Sequence, residues 1–211
     1  MNIEKHPIEY YFGKSFVRYG DGEFGCMFNP GIGTNCDGHF YYKELSDDLN
    51  RCFKADHGYL IGLQRYALNT MGPQIKNLIG NDQTIFHDSD VFHRANFVKN
   101  GLASLIEYLR SVNLCLMGPA HLKSVAKKLN AKVFIEVPSA NCYLKIDELK
   151  NELINCLDKV NVVSISASMM ANVIIHDLYK EDISFLDLGS LWDPYAGVLS
   201  RTYHKGRSFI L

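Results

Sequence analysis

From residue 111 onward, short apolar runs alternate with stretches in which apolar residues recur at helical spacing. Residues 112–117 (Val-Asn-Leu-Cys-Leu-Met) predict a buried strand that stops at Gly118-Pro119. A helix over 121–129 follows, with Leu122, Val125, Ala126 and Leu129 on one stripe and Lys123, Lys127 and Lys128 facing water. The alternation continues with strands over 132–137, 161–166 and 183–188. Helices are predicted over 147–157, with Leu149, Leu153, Ile154 and Leu157 inward, and over 169–179. Strands separated by single helices predict an α/β fold, Rossmann-like, with a mostly parallel sheet and helices on both faces.

The first third is less regular. Strands are predicted over 15–19, 58–63 and, as a short one, 84–86. A helix over 42–53 carries Leu45, Leu49 and Cys52, and another passes through Leu102, Leu105, Ile106 and Leu109. No repeat or linker divides the chain, so residues 1–211 are expected to form one domain. Residues 29–38, rich in glycine and short polar residues, predict a flexible loop, a lid or a plain surface connection. The tail 196–211 is expected on or near the cleft, its basic stretch from Arg201 to Arg207 either closing over phosphates or lying solvated, the default for such a tail.

Composition removes several classes. With Lys+Arg 22 against Asp+Glu 23, the formal charge is -1, which argues against nucleic acid held by bulk phosphate attraction. Hydrophobic residues at 47% exclude disorder as a description of the chain. No apolar run predicts a transmembrane segment, and the start Met1-Asn2-Ile3-Glu4-Lys5 does not read as a secretory signal. The six cysteines show no C-x-x-C pair and are expected as reduced, mostly buried thiols.

The stretch Arg18-Tyr19-Gly20-Asp21-Gly22-Glu23 carries the most chemistry. A strand runs into two carboxylates flanking a glycine, and Gly20 and Gly22 permit a tight turn or a close approach to a ligand. Asp21 and Glu23 can converge on a hard cation, Mg²⁺ or Mn²⁺, that neutralises a departing diphosphate, with Arg18 adding a fork of donors. Read without a ligand, the same residues are an exposed turn. A rival pair, Asp88-Ser89-Asp90, leads into a predicted helix that carries Arg94 toward the cleft. Either aspartate could instead cap that helix.

Open parallel sheets bind ligands beyond the C-terminal ends of their strands. The segments there are 118–121, 138–141, 166–169 and 187–190. Ser166 and Ser168 lead from strand to helix and suit either phosphate binding or capping. Asp187 ends a strand, and Asp193 lies in a loop with Trp192 and Tyr195, a set suited to a sugar or to local packing. The eight histidines show no metal-ligand spacing.

At Arg18-Tyr19-Gly20-Asp21-Gly22-Glu23 the chain resembles the GT-D glycosyltransferases, first described as a domain of unknown function with an R-[FY]-G-D-G-E signature. The resemblance continues through residues 89–94, 137–143, 162–178 and 185–190, the last matching a closing D-[IL]-G motif. The chain departs from the pattern at Ser166-Ala167-Ser168, where the family has a glycine-containing turn, and at Ser190, where it has histidine. The resemblance implies transfer of a sugar from a nucleotide donor, UDP-glucose or similar, onto a glycan or glycopeptide in the cytoplasm. It places a divalent ion on Asp21 and Glu23. Donor contacts are expected from Arg18, Gly20, Gly22, Arg94, Asn141, Tyr143, Ser166 and Ser168, and, if transfer inverts the anomeric centre, the base is Asp187 or Asp193, with retention left open. A nucleotide-sugar or sugar-phosphate hydrolase and a non-catalytic nucleotide- or sugar-binding module stay open as alternatives, as does assembly into a homo-oligomer.

Overall fold

The structure, a computed structural model, describes residues 3–55, 57–80, 84–204, 209 and 211, with Tyr203 as backbone alone. Eight strands form one sheet: β1 (Ile3–Glu4), β2 (Phe16–Tyr19), β3 (Leu60–Leu63), β4 (Phe86–Asp88), β5 (Leu114–Pro119), β6 (Val133–Val137), β7 (Val162–Ile165) and β8 (Ser184–Asp187). Their order is β1-β4-β3-β2-β8-β7-β5-β6, and every described pair is parallel. Such a sheet needs both faces covered, because its strands are apolar on both sides.

Alternation along the strands separates two cores. Val17 and Tyr19, Cys115 and Met117, and Val163 and Ile165 point to one face. There they pack with the helices α1 (Asp21–Phe28), α2 (Lys43–Lys54), α7 (Ile146–Ile154) and α8 (Met170–Leu178). The same core takes Ala67 and Ile75 of α3 (Arg65–Ile79). Phe16, Leu114, Leu116, Val162 and Leu186 point the other way. They meet α4 (Val91–Ala95), α5 (Ala103–Ser111), α6 (Lys123–Lys128) and the 3₁₀ segment Gly189–Ala196. Each fully buried Leu or Phe of this kind contributes about 1.5–3 kcal/mol.

The C-terminal alternation appears as the sequence predicts, with bounds shifted by one to three residues. Leu122, Val125, Ala126 and Leu129 are all buried. Ile154 departs from expectation: it is the last residue of α7 and 48% exposed. The strand expected over 84–86 runs instead over Phe86–Asp88, and Ile85 is left exposed. Two helices escape the periodicity. α1 starts inside the acidic glycine stretch, and α3 has Pro73 in its interior and a kink at Met71.

Trp192 corrects the reading of a sugar platform. It is fully buried, with its Nε1–H donating to Ser164 Oγ at 3.3 Å, and Tyr195 donates its hydroxyl to Asn96 Oδ1 at 2.8 Å. The cysteines are free thiols, five buried and Cys36 exposed. No helix among the described residues is long and apolar enough to cross a membrane.

Candidate active site

The chain leaves β2 into α1 on one face of the sheet and leaves β8 into the 3₁₀ segment on the other. Neighbouring strands whose exits part in this way open a crevice at their C-terminal ends. A cavity of about 550 Å³ lies there, with Arg18, Asp21, Glu23, Arg65, Ser166 and Asp193 among its lining residues.

The acidic stretch is a helix start rather than a free turn. Gly20 is the N-cap of α1, and Glu23 turns back so that its Oε2 accepts the Gly20 N–H at 2.8 Å. This is half a capping box, since glycine has no side chain to complete it. Asp21 occupies the first helical position, and its N–H donates to Gln64 Oε1 at 3.1 Å. Its carboxylate meets no donor among the described residues and lines the cavity. The Glu23 carboxyl is pushed up to about 7, first by burial and then by the Asp187 carboxylate. Two carboxyls lining one cavity, one of them without a donor among the described residues, fit a hard divalent cation.

Arg18 sits at the centre. Its guanidinium reaches Asp187 Oδ1 from Nη2 at 3.5 Å, and the Asp187 carboxylate also accepts the backbone N–H of Arg18 at 3.2 Å and of Gly189 at 3.1 Å. Burial raises the Asp187 pKa, and the Arg18 charge opposes that rise. Nη1 of Arg18 lies 3.3 Å from His93 Nδ1. Arginine only donates, so Nδ1 must accept and the imidazole proton rests on Nε2. Burial and the Arg18 charge hold the His93 pKa well below its ordinary value, consistent with a neutral ring.

The rival aspartates are engaged. Arg94 grips Asp88 with two bonds, 3.0 and 2.7 Å, and Asp90 accepts the Arg65 N–H at 3.2 Å. Asp88-Ser89-Asp90 therefore fixes helix starts instead of presenting a cation pair. Arg94 lines the cavity with its fork held by Asp88. The Arg65 side chain, which sequence reasoning passed over, lines the cavity with no side-chain partner among the described residues.

Ser166 and Ser168 both line the cavity. Ser166 Oγ is buried without a partner among the described residues, whereas Ser168, in left-handed backbone at φ 51°, accepts from Asn35 Nδ2 at 2.9 Å. Gly20 and Gly22 line it as well. Asn141 and Tyr143, expected as donor contacts, do not. Asn141 Oδ1 accepts the Phe40 N–H at 2.8 Å, and the Tyr143 hydroxyl donates to Asp48 at 2.8 Å. Both fasten the structure around residues 39–48.

Asp193 enters the cavity wall with a partner that sequence spacing hid. Its Oδ1 accepts from His121 Nε2 at 2.9 Å, and its Oδ2 accepts from Ser200 Oγ. A carboxylate fixing one ring nitrogen leaves His121 Nδ1 to accept a proton, as base–orienter pairs require. The signal was present in Gly118-Pro119-Ala120-His121, the exit of β5, but the 72-residue separation from Asp193 concealed the pairing.

Residues 29–41 cross beside this wall. Tyr41 N–H donates to Gly33 O, Asn35 N–H to His39 O, and Arg201 pairs with Asp37. Arg201 is the part of the basic tail that reaches the cavity; Lys205 and Arg207 lie outside the described residues.

No protein-family profile and no curated protein matches the chain. Solved structures do. One, described as a new glycosyltransferase from Streptococcus sanguinis of the domain of unknown function 1792, matches all of this chain and 94% of its own, at TM-score 0.70 and 18% identity. A second, described as having a distinct glycosyltransferase fold in that same domain, matches 92% of this chain and 80% of its own, at TM-score 0.68 and 18% identity. A third, a selenomethionine form of the domain, matches 99% and 91%, at TM-score 0.67 and 16% identity. The chain thus has the Rossmann-like fold of GT-D type seen in these structures.

Proposed function

We propose that this protein is a glycosyltransferase that moves a sugar from a nucleotide-sugar donor onto a glycan or glycopeptide acceptor hydroxyl. The observation that carries the reading is the convergence, at one crevice, of the unengaged Asp21 carboxylate, the raised Glu23 carboxyl, Arg18 and the His121–Asp193 pair. The fold shared with the Streptococcus sanguinis glycosyltransferase supports it.

Asp21 and Glu23 would hold Mg²⁺ or Mn²⁺, whose chemistry there is neutralisation of diphosphate charge. Arg18, fixed by Asp187 and His93, and Arg65 add guanidinium donors for phosphate oxygens. The unpartnered Ser166 Oγ and the N-terminal amides of α8 complete an anion cradle. Asp187 is engaged by two backbone N–H groups and Arg18, so it positions Arg18 and leaves base work to the other pair. The acceptor hydroxyl gives its proton to His121 Nδ1, its oxygen bonds to the anomeric carbon, and the bond from that carbon to the diphosphate oxygen breaks. Asp193 stabilises the imidazolium that results.

Thermal melts with a panel of nucleotides and nucleotide sugars, in Mn²⁺, Mg²⁺ or EDTA, test both halves. A UDP-sugar at 100 times its Kd adds about 2.7 kcal/mol, a rise of roughly 5–11 °C at this size. Asp21→Asn removes the metal-dependent part of that rise. His121→Gln keeps the rise yet slows transfer by roughly 10²–10⁴. Full turnover in Asp21→Asn sinks the metal assignment. Free sugar released without an acceptor points to a hydrolase, and tight binding without turnover to a binding module.

A further inference from the structure

β1 contributes only two residues to the sheet, yet it brings a second set of ligand atoms together outside the cleft. Its parallel register sets Glu4 opposite His87 of β4. His6 follows Glu4 by two positions, the spacing that returns an extended chain's side chain to the same face. One ligand atom each from Glu4, His6 and His87 lies within 4.8 Å of the others. His87 is 3% exposed, and its Nδ1 has no partner among the described residues. Buried polar atoms are nearly always satisfied, so such an atom within a cluster of ligating side chains points to a missing ligand.

We propose that Glu4, His6 and His87 form a binding site for one first-row divalent transition ion, Zn²⁺ being the reference case. The donor set of two imidazoles and a carboxylate is one that zinc takes, with water or another ligand in the fourth position. A cavity of about 560 Å³ borders Glu4 and His87 and gives that position access to solvent. Tetrahedral bonds near 2 Å place donor atoms roughly 3.4 Å apart. The present 2.9 Å contact between Glu4 Oε2 and His6 Nε2 therefore opens slightly as the ion replaces their hydrogen bond. The rings are already held: His6 stacks on Tyr10 with centroids 3.7 Å apart, and Tyr10 carries the Lys14 ammonium on its ring. That ammonium is an unfavourable charge nearby, Lys54 borders the same cavity, and the Glu4 carboxylate offsets them in part. None of the three ligands lines the crevice of Asp21 and Glu23, so this ion is separate from any that serves the donor diphosphate. Its effect is to clamp a two-residue edge strand to the sheet.

The test is calorimetric titration of ZnCl₂ into EDTA-stripped full-length protein carrying Asp21→Asn, which removes the cleft carboxylate as a competitor. One equivalent is expected to bind and to raise the melting temperature. Glu4→Gln and His6→Asn, both at partly exposed positions that tolerate change, are each expected to weaken binding at least tenfold. Co²⁺ in place of Zn²⁺ is expected to give visible absorption bands of a four-coordinate site. Absence of stoichiometric binding, or binding unchanged in both variants, would show that Glu4 and His6 form only the ion pair and would overturn the site.

Discussion

Gly189 shows how closely the centre of the crevice is fitted. Its φ of 51° is left-handed, and a Cβ there would fall on the guanidinium of Arg18. Only glycine both permits that backbone and leaves room for the arginine. His93 completes the enclosure from below, and its neutrality has a pH signature. Its folded pKa lies below its unfolded one, so the unfolded chain takes up a proton first as pH falls. Stability held above the unfolded pKa near 6.5 is therefore lost on acidification, and part of the loss between pH 7 and pH 5 comes from this residue. His93→Gln keeps an acceptor for Arg18 and removes the titration. Denaturant unfolding at the two pH values should show a shallower acid loss in the variant; equal losses would refute the neutral imidazole.

Among the elements, α1 is where sequence reasoning stopped short. Gly22 and Gly25 lower helix propensity by about 1 kcal/mol each, so the stretch reads as a turn until the sheet and α2 are in place. The glycines are there for packing. A Cβ on Gly25 would sit 2.6 Å from the Tyr41 hydroxyl oxygen, against the structure that holds residues 31–41. Gly25→Ala should therefore lower stability by about 1 kcal/mol or more despite better helix propensity, through overpacking. A lower urea midpoint at constant slope would confirm this, and a higher one would contradict it. The C-terminal half was legible because each helix of α6 to α8 carries an apolar stripe and each strand is mostly apolar. α3 was not, because only Ala67 and Ile75 are buried along its length and Gly72-Pro73 interrupts it. The carboxylates and Arg18 were legible as a motif. Asp193 was legible as a candidate base, but its pairing with His121 was not, since only the folded chain brings the β5 exit to the segment after β8.

Taken whole, the molecule places its crevice between the C-terminal ends of the central strands and a strap formed by residues 29–41. The strap is tied at three places: Asn35 to Ser168, Phe40 to Asn141, and Asp37 to Arg201. Asp37 and Arg201 keep partial exposure, and such pairs contribute at most about 1 kcal/mol to stability. Their larger effect should fall on ligand binding. Asp37→Asn is expected to leave the melting temperature nearly unchanged and to weaken nucleotide-sugar binding by roughly three- to tenfold, equivalent to about 0.7–1.4 kcal/mol. Titration of the donor into both proteins checks this, and equal affinities would mean that the strap does not shape the crevice.

The pairing of β2 with β8 at the middle of the sheet also sets an order of events during synthesis. Arg18 and Asp187 stand 169 positions apart, so the ribosome must deliver all the residues between them before they meet. Until then the edge of β2 is open, and the first half lacks its central neighbour. Pairings this distant in sequence close slowly, because loop entropy is spent before the contact rewards it. A nascent chain that ends ahead of β8 holds the signature hexamer but has no crevice. The crevice therefore forms only when β8 takes its place between β2 and β7.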